Sequence, residues 1–403
     1  MELFWLEHKK LWRKKIVKIC VLLCFVYCVI FGSILSFQWF CFGSSDDYTS
    51  AFGNNFDGYT VIKDSQEYAL SFGGELTDET LQQIVSDYQQ MEADGMEEEL
   101  EKTDWQIVNS WLGTLYPELR DTSNYKTMIS YVDPDKLTGF YERRQQVLDE
   151  FLEVSGQVGA EKEFLHQMER KVEKPFHYEW VEGWSTLLGS MVADLGVVMA
   201  LFLGIVLSSL FAGEWHDNTS TLVLTTRNGW GKIALAKILT GLAFTVELFA
   251  LLAVSSIISQ LFFMGTAGWD MPIQNIKLIA VAPMNMLQAE IYEYAFVLLG
   301  AIGFAGIVMF ISAAVKNNVL TLLLSLAVVY GPMMIAEYLP YEMQKALDLI
   351  PLVGSSTDIF RTNTFRIFGK LIWSPYLLIT IPVLIGILCM PFAIKSWSRR
   401  MKA

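Results

Sequence analysis

Long apolar runs, separated by polar segments, dominate the chain outside one large polar insert. A helix needs roughly 20 apolar residues to cross about 30 Å of hydrocarbon, because it rises about 1.5 Å per residue. Six runs are long enough and predict transmembrane spans at 16–42, 185–211, 233–264, 291–315, 319–339 and 371–394. The predicted fold class is therefore an α-helical polytopic membrane protein with six transmembrane helices.

The distribution of basic residues sets the predicted orientation. With the N-terminus inside, the inner segments hold twelve Lys and Arg residues, and the short outer loops hold five. Short cytoplasmic loops carry the excess of Lys and Arg in membrane proteins, whereas long domains are translocated largely regardless of charge. Both termini are thus predicted to be cytoplasmic, and residues 43–184 to lie outside.

The polar segments divide the rest of the chain. Residues 1–15 combine aromatic and charged side chains, which suits a helix lying in the cytoplasmic interface; a positively charged flank with incidental aromatic residues is the alternative. The other predicted segments are an extracytoplasmic domain at 43–184, a cytoplasmic loop at 212–232, an outer loop at 265–290, an outer segment at 340–370 and a cytoplasmic tail at 395–403.

The first apolar run is predicted to be a membrane anchor. The apolar region of a cleaved signal peptide is about 7–15 residues long and ends in small residues. This run is longer, and it ends among Phe37, Trp39 and Phe40. Aromatic side chains of this kind are typical of a membrane–water interface.

Residues 43–184, the insert, differ from the rest of the chain in charge. The insert holds 30 acidic and 11 basic residues, whereas the remainder holds 13 acidic and 19 basic residues. Its length fits one domain. An acidic domain in an apolar, basic remainder excludes a purely soluble enzyme. A nucleic-acid partner is excluded as well, since no basic stripe lies on a soluble module.

Apolar spacing predicts a mainly helical insert. One apolar face recurs over 77–91, a second helix follows Thr103, and a third begins at Pro134. Short strands are predicted at 59–63 and 68–72. The insert contains no cysteine, which favours a bacterium that makes no extracellular disulfides.

No catalytic or metal-binding constellation is found in the sequence. The glycine-rich candidate for a phosphate loop, 229–232, lacks the leading glycine and the following Ser or Thr. The insert's histidines, His166 and His177, have no Cys or His at metal-ligand spacing. We therefore expect that this chain is not an enzyme and binds no metal or cofactor.

Two acidic residues fall inside predicted spans, Asp194 in the second and Glu247 near the middle of the third. Ionisable groups at membrane depth are costly and tend to face the bundle interior or a water-filled cavity. They line a path for a cationic or amphipathic substrate, or they are protonated or hydrogen-bonded to neighbouring Ser and Thr. The sequence leaves both interpretations open.

The predicted cytoplasmic loop at 212–232 carries an apolar stretch that a plain loop does not need. Leu222 and Leu224 stand between a polar start and Arg227. Asp217 or Asn218 can cap a short helix, and a later Asn-Gly pair is a turn signal. A short helix lying across the inner surface offers a docking site through which a soluble partner could displace the neighbouring spans.

This loop resembles that of permease subunits of type-2 ABC exporters. In that family the second span ends in a Glu, a Thr-containing coupling helix follows, and an Arg-containing turn precedes a Lys that opens the third span. The matching residues are Glu214, Thr219, Thr221, Leu222, Leu224, Thr225, Thr226, Arg227, Lys232 and Lys237. The family also has an N-terminal interfacial helix, six spans and a re-entrant outer segment before the sixth span, which 340–370 can supply.

The resemblance implies a subunit that takes its energy from another chain. Two cytoplasmic ABC ATPase subunits would bind ATP and Mg and dock on the loop, and a second permease subunit, identical or related, would complete the transporter in the bilayer. The expected ATPase-coupling residues are Glu214, Asn218, Thr219, Leu222, Leu224 and Arg227.

The size of the insert narrows the implied subfamily. A large extracytoplasmic domain between the first two spans occurs in some subfamilies, among them bacterial sodium, antibiotic-peptide and lantibiotic-immunity exporters. The implied location is the plasma membrane of a Gram-positive bacterium. The implied cargo is a peptide, an antibiotic, a lipid-like molecule or an ion.

Two other functions stay open at this point. A non-transporting membrane sensor or immunity protein would use the insert as a ligand receptor, and it would need an output partner because the inner segments are short. An intramembrane protease would need a motif around Asp194 and Glu247, which the sequence lacks.

Overall fold

The computed structural model describes residues 2–30, 66, 73–95, 105–121, 126–216, 231–354, 360 and 363–399. Over these residues the chain is mainly helical, and five of the helices are long and apolar enough to cross a membrane. The predicted class, an α-helical membrane protein, agrees with this finding.

The described helices follow one another along the whole chain. They are α1 (Glu2–Arg13), α2 (Lys15–Val29), α3 (Asp78–Ala93), α4 (Trp105–Leu115), α5 (Phe140–Val154), α6 (Ala160–Glu169), α7 (Glu182–Thr186), α8 (Val192–His216), α9 (Lys232–Met264), α10 (Met286–Ala314), α11 (Asn318–Ile335), α12 (Tyr341–Leu347) and α13 (Ser374–Arg399). A short π-helical segment, Leu187–Met191, joins α7 to α8.

The long helices α8, α9, α10, α11 and α13 form the apolar bundle. Helix α10 lies at its centre and packs against both α8 and α13. Where α10 meets α13, a Cβ atom at Gly303 would lie 2.3 Å from the Pro382 carbonyl oxygen, and one at Gly306 would lie 2.4 Å from that of Gly386. Glycine at these positions lets the two backbones approach closely.

The second to sixth predicted spans each coincide with one bundle helix, but their ends differ. Helix α10 begins at Met286, earlier than the predicted start at 291, because Asn285 and Gln288 form a reciprocal capping box. Helix α2 covers the beginning of the first predicted span, and residues 31–42 of that span lie outside the described residues.

Two short antiparallel strands, β1 (Gly74–Leu76) and β2 (Phe176–Tyr178), join the two ends of the described insert. The Tyr141 hydroxyl donates to the Leu76 carbonyl oxygen at 2.8 Å and accepts from the Phe176 N–H at 2.6 Å. Burial raises the pKa of Tyr141 to about 12, so the hydroxyl keeps the proton that it donates. The strands predicted at 59–63 and 68–72 lie outside the described residues.

One predicted helix start in the insert is wrong. The chain forms only a 3-10 turn at Pro134–Lys136, and α5 begins at Phe140. Gly139 adopts a φ of +72°, which separates the turn from the helix. Asp78 at the start of α3 then caps α5, because its carboxylate accepts the backbone N–H groups of Gly139 and Phe140 at 2.6 and 2.9 Å.

The insert is anchored on the segment that joins α9 to α10. Arg144, fully buried in α5, pairs with Glu169 and donates to the carbonyl oxygens of Leu278 at 2.7 Å and Ala280 at 3.1 Å. The Trp111 indole N–H donates to the Asn275 carbonyl oxygen at 2.8 Å. These buried contacts fix the insert to one end of the bundle.

A second contact involves the segment before α13. There, the strands β3 (Thr364–Ile367) and β4 (Lys370–Trp373) form an antiparallel hairpin. The Thr364 hydroxyl donates to Gln157 of the insert at 2.9 Å, and Arg366 pairs with Glu161 at 2.7 Å. This hairpin occupies the end of the stretch that the sequence predicts as an outer, re-entrant segment.

Candidate functional site

The candidate site lies where α1 packs against α8 and α9, the two helices that residues 217–230 connect. These connecting residues lie outside the described ranges. Helix α1 is amphipathic: Leu11 is buried, whereas Trp5 and Leu6 are 62% and 63% exposed. An exposed apolar edge beside charged residues suits a helix in a membrane interface.

Glu214, close to the end of α8, is the centre of the site. It is only 4% exposed. One of its carboxylate oxygens accepts from the ammonium of Lys10 in α1 at 2.6 Å and from that of Lys237 in α9 at 2.8 Å. A single carboxylate thereby connects the three helices that meet at this point.

Lys237 closes the network. Its side chain is 2% exposed, and its ammonium also contacts Glu7 of α1 at 2.8 Å. Two acidic and two basic groups, Glu7, Glu214, Lys10 and Lys237, therefore compensate one another. Removing one member of a buried ion pair typically costs about 3–5 kcal/mol, because the other charge stays buried without compensation. The four side chains hold the relative positions of α1, α8 and α9.

Further contacts extend the α1 surface along α9. The Trp12 indole N–H donates to Glu247 at 3.0 Å, and the His8 ring nitrogen Nε2 lies 3.2 Å from the other oxygen of that carboxylate. The Trp12 ring also meets Phe244 edge to face, with 5.7 Å between centroids. Helix α1 is thus tied to α9 at two separate levels, Lys237 and Glu247.

The opposite face of the α8 end is held by the bundle. The Ser312 hydroxyl of α10 donates to the Ser208 carbonyl oxygen at 2.7 Å and accepts the backbone N–H of Phe211 at 3.1 Å. The Trp215 ring meets that of Trp397 of α13 edge to face, with 6.1 Å between the ring centroids. The last turns of α8 therefore contact α1, α9, α10 and α13. Because of these contacts, a displacement of this end of α8 would also displace the four helices.

The structure describes only part of the predicted coupling set. Glu214 lies at the centre of the buried network. Asn218, Thr219, Leu222, Leu224 and Arg227 fall outside the described residues. Of the predicted coupling residues, the structure therefore describes only Glu214, which lies near the end of α8.

The two predicted intramembrane carboxylates, Asp194 and Glu247, are both exposed and lie apart. Glu247 contacts Trp12 and His8, partners that the sequence did not identify. Asp194 lies in the first turn of α8 and interacts with the hydroxyl of Tyr27 in α2.

Sequence reasoning missed the lysine partners of Glu214 as site residues. Lys10 and Glu7 are three residues apart, so they share one face of α1. That spacing was the available signal. Nothing in the sequence indicated that α1 folds back onto α9, because the partners are more than 200 residues apart.

The salt bridges of Glu214 and Lys237 connect α1, α8 and α9 and fix the relative positions of these helices. Within the described residues, no group of three His, Cys, Asp or Glu side chains could hold a metal ion. No protein-family model, curated protein or solved structure matches the chain.

Proposed function

We propose that the chain is the membrane-spanning permease subunit of an ATP-driven type-2 ABC exporter. It resides in the plasma membrane of a Gram-positive bacterium, with both termini in the cytoplasm and the insert outside. The cargo is a peptide, an antibiotic, a lipid-like molecule or an ion. ATP and Mg bind to a separate ATPase subunit, and this chain performs no catalysis of its own.

One observation carries the proposal: Glu214 and Lys237, on either side of the 217–230 connection, pair directly with each other at 2.8 Å and both bind α1. A partner that displaces residues 217–230 moves the ends of two bundle helices and the N-terminal helix together. Such a concerted movement of packed helices is one way in which transporters switch between states. The salt bridges between α1, α8 and α9 suit it because they make the three helix ends move as one body.

The salt bridges between these helix ends indicate how ATP hydrolysis in the partner would move the membrane helices. Two ATPase subunits close on ATP, push the 217–230 segments of two permease subunits, and the α8 and α9 ends respond as a unit. Leu222 and Leu224 fill a groove on the ATPase, while Arg227 makes a polar contact. The insert, fixed at the far end of the same helices through Trp111, binds or shelters the cargo as it leaves.

The test is the Leu222→Asp variant of the full chain, purified in mild detergent from its native membranes. We expect an ATPase subunit and its ATP hydrolysis to copurify with the wild-type chain. The variant should still insert into the membrane but lose both the ATPase subunit and the ATP hydrolysis. The matched control is Val154→Asp, because Val154 lies in the insert and is 89% exposed; this variant keeps both. Equal activity of Leu222→Asp and wild type contradicts the proposal.

The alternative function is a sensor or immunity protein that binds its ligand through the insert. A specific cavity favours it: about 370 Å³ lie between the insert and the α9–α10 connection, within the usual size of small-molecule sites. Its lining includes Lys171, Glu173, His177, Asp270, Gln274 and Gln288. The same purification separates the two functions, since a sensor of this kind carries no ATP hydrolysis with it.

A further inference from the structure

Buried polar side chains gather between α9 and α10 at the end of the bundle that carries the insert. Gln260 of α9 is 0% exposed, and Glu290 and Glu293 of α10 are 2% and 5% exposed. Helix α10 begins at Met286, so both carboxylates lie within its first turns. These are costly positions for charged groups, and they are not used by the proposed coupling mechanism.

One hydrogen bond fixes the register of these helices. The hydroxyl groups of Ser256 and Tyr294 are 2.9 Å apart. Because α9 and α10 run in opposite directions, one turn further toward the insert places Gln260 on α9 opposite Glu290 on α10. The amide and the carboxyl group therefore occupy the same level of the interface.

Neither group is satisfied by the protein. Among the described residues, no hydrogen bond of ordinary geometry reaches either carboxylate oxygen of Glu290 or either amide atom of Gln260. The Tyr294 hydroxyl is the protein group that interacts most directly with the Glu290 carboxyl group, and it carries no positive charge. A buried carboxylate without a compensating partner is strongly destabilising. The site is therefore built to receive a positive charge.

We propose that Glu290, with Gln260 and Glu293, is the binding site of one small cation, either a proton or an alkali metal ion. The near-complete burial of all three side chains excludes a larger organic cation. Their oxygen atoms are the ligands that hard cations prefer. The inference does not depend on an ATPase partner, and cation binding can be measured without transport.

The titratable surroundings of Glu290 are specific. On α10 they are Glu293 and Tyr294, and Tyr292 on the same helix interacts with Tyr376 of α13. Cys28 of α2 acts electrostatically on Tyr294, next to this site. Helix α9 contributes the neutral Gln260 and Ser256. No salt bridge reaches Glu290 from a lysine or arginine of the described residues.

The experiment measures thermal unfolding of the purified full chain in detergent. Sodium, potassium and choline chloride are compared at equal ionic strength and at several pH values from 6 to 9. If an alkali ion binds, sodium or potassium raises the melting temperature over choline by mass action. If a proton binds, the three salts agree, and the melting temperature falls as the pH rises, since the folded state holds the extra proton.

The Glu290→Gln variant loses whichever response the wild type shows, because the amide carries no charge. Glu337→Gln, a change of an exposed carboxylate in the same bundle, retains it. Gln260→Met is the second variant; it leaves the charge in place and shifts the midpoint of the response. Identical salt and pH responses of wild type and Glu290→Gln overturn the proposal.

Discussion

Two buried carboxylates, Glu214 of α8 and Glu290 of α10, lie beside opposite ends of helix α9 and have opposite surroundings. Glu214, which faces the α1 end, accepts from two ammonium groups at 2.6 and 2.8 Å. Glu290, beside the insert end, has no hydrogen bond of ordinary geometry among the residues that the structure describes. Both are at most 4% exposed. Equal burial with unequal pairing distinguishes a carboxylate that fixes structure from one that awaits a ligand.

The difference follows from the chemistry of burial. A charge inside the bundle is tolerated when protein groups neutralise it, and it otherwise takes up a proton or an external cation. The α1 end supplies lysines, so its geometry is fixed within the fold. Among the described residues, the groups around Glu290 are Gln260, Glu293, Tyr294 and serine hydroxyls, and none of them is basic. We therefore expect neutralisation there to come from solution.

The largest effect on stability is expected for Lys237→Met, which removes the lysine that pairs with Glu214 and Glu7. This change removes the buried ammonium that pairs with both Glu7 and Glu214. We expect the free energy of unfolding to fall by about 3–5 kcal/mol, measured by denaturant or thermal unfolding in detergent. Lys232→Met, an exposed change on the same helix, serves as control and should alter stability by about 0.5 kcal/mol or less.

A change in the free energy of unfolding of opposite sign is expected for Glu290→Gln, because Glu290, unlike Glu214, has no basic partner among the described residues. In choline buffer at pH 8, removing the uncompensated charge should raise the free energy of unfolding by about 1–3 kcal/mol. The matched comparison is Glu214→Gln, which should lower it, because Lys10 and Lys237 then lose the charge of this carboxylate, and Glu7 compensates Lys237 only in part. Destabilisation of similar size by both amides would remove the distinction between the two ends.

A smaller effect is expected for Tyr294→Phe, which removes the hydroxyl that fixes the α9–α10 register. Ser256 keeps a second acceptor, the Ala253 carbonyl oxygen at 3.0 Å. The loss should therefore be about 1 kcal/mol, the value of one ordinary hydrogen bond. Ser255→Ala on the neighbouring face is the control in the same unfolding assay, and a neutral Tyr294→Phe would argue against the register.

The smallest effect is expected for Lys10→Met. The Lys10 side chain is 53% exposed, and exposed ion pairs contribute about 0–1 kcal/mol. Glu214 also keeps Lys237 in this variant. A double-mutant cycle with Glu214→Gln should give a coupling energy well below that of the Lys237 pair, and an equal value would mean that burial does not decide the strength.

The sequence predicted the helical membrane class and the positions of five long helices, because apolar length alone carries that information. It did not predict the start of α10, since the capping box at Asn285 extends the helix beyond its apolar run. The apolar pattern therefore assigns Glu290 to the outer loop at 265–290, whereas the structure places it in the first turns of α10.

Pairing between distant segments was beyond the sequence. The family resemblance includes both Glu214 and Lys237, but it does not predict that they pair with each other and with Lys10 and Glu7, because α1 meets α8 and α9 only in the folded chain. In the insert, Pro134 resembled a helix start, whereas Asp78 of α3 selects Phe140 as the start of α5. Apolar patterns indicate elements, whereas polar contacts decide their ends, both local ones such as the Asn285 capping box and long-range ones such as Asp78 with Phe140.

The most direct test of the coupling proposal asks which side of the membrane carries residues 217–230. In a cysteine-free chain, Ser220→Cys and Val154→Cys are treated separately with a membrane-impermeant maleimide. The account predicts that Val154→Cys reacts in intact cells, and that Ser220→Cys reacts only after the membrane is permeabilised. Labelling of Ser220→Cys in intact cells would place the connection outside, where no cytoplasmic ATPase can reach it, and would contradict the account.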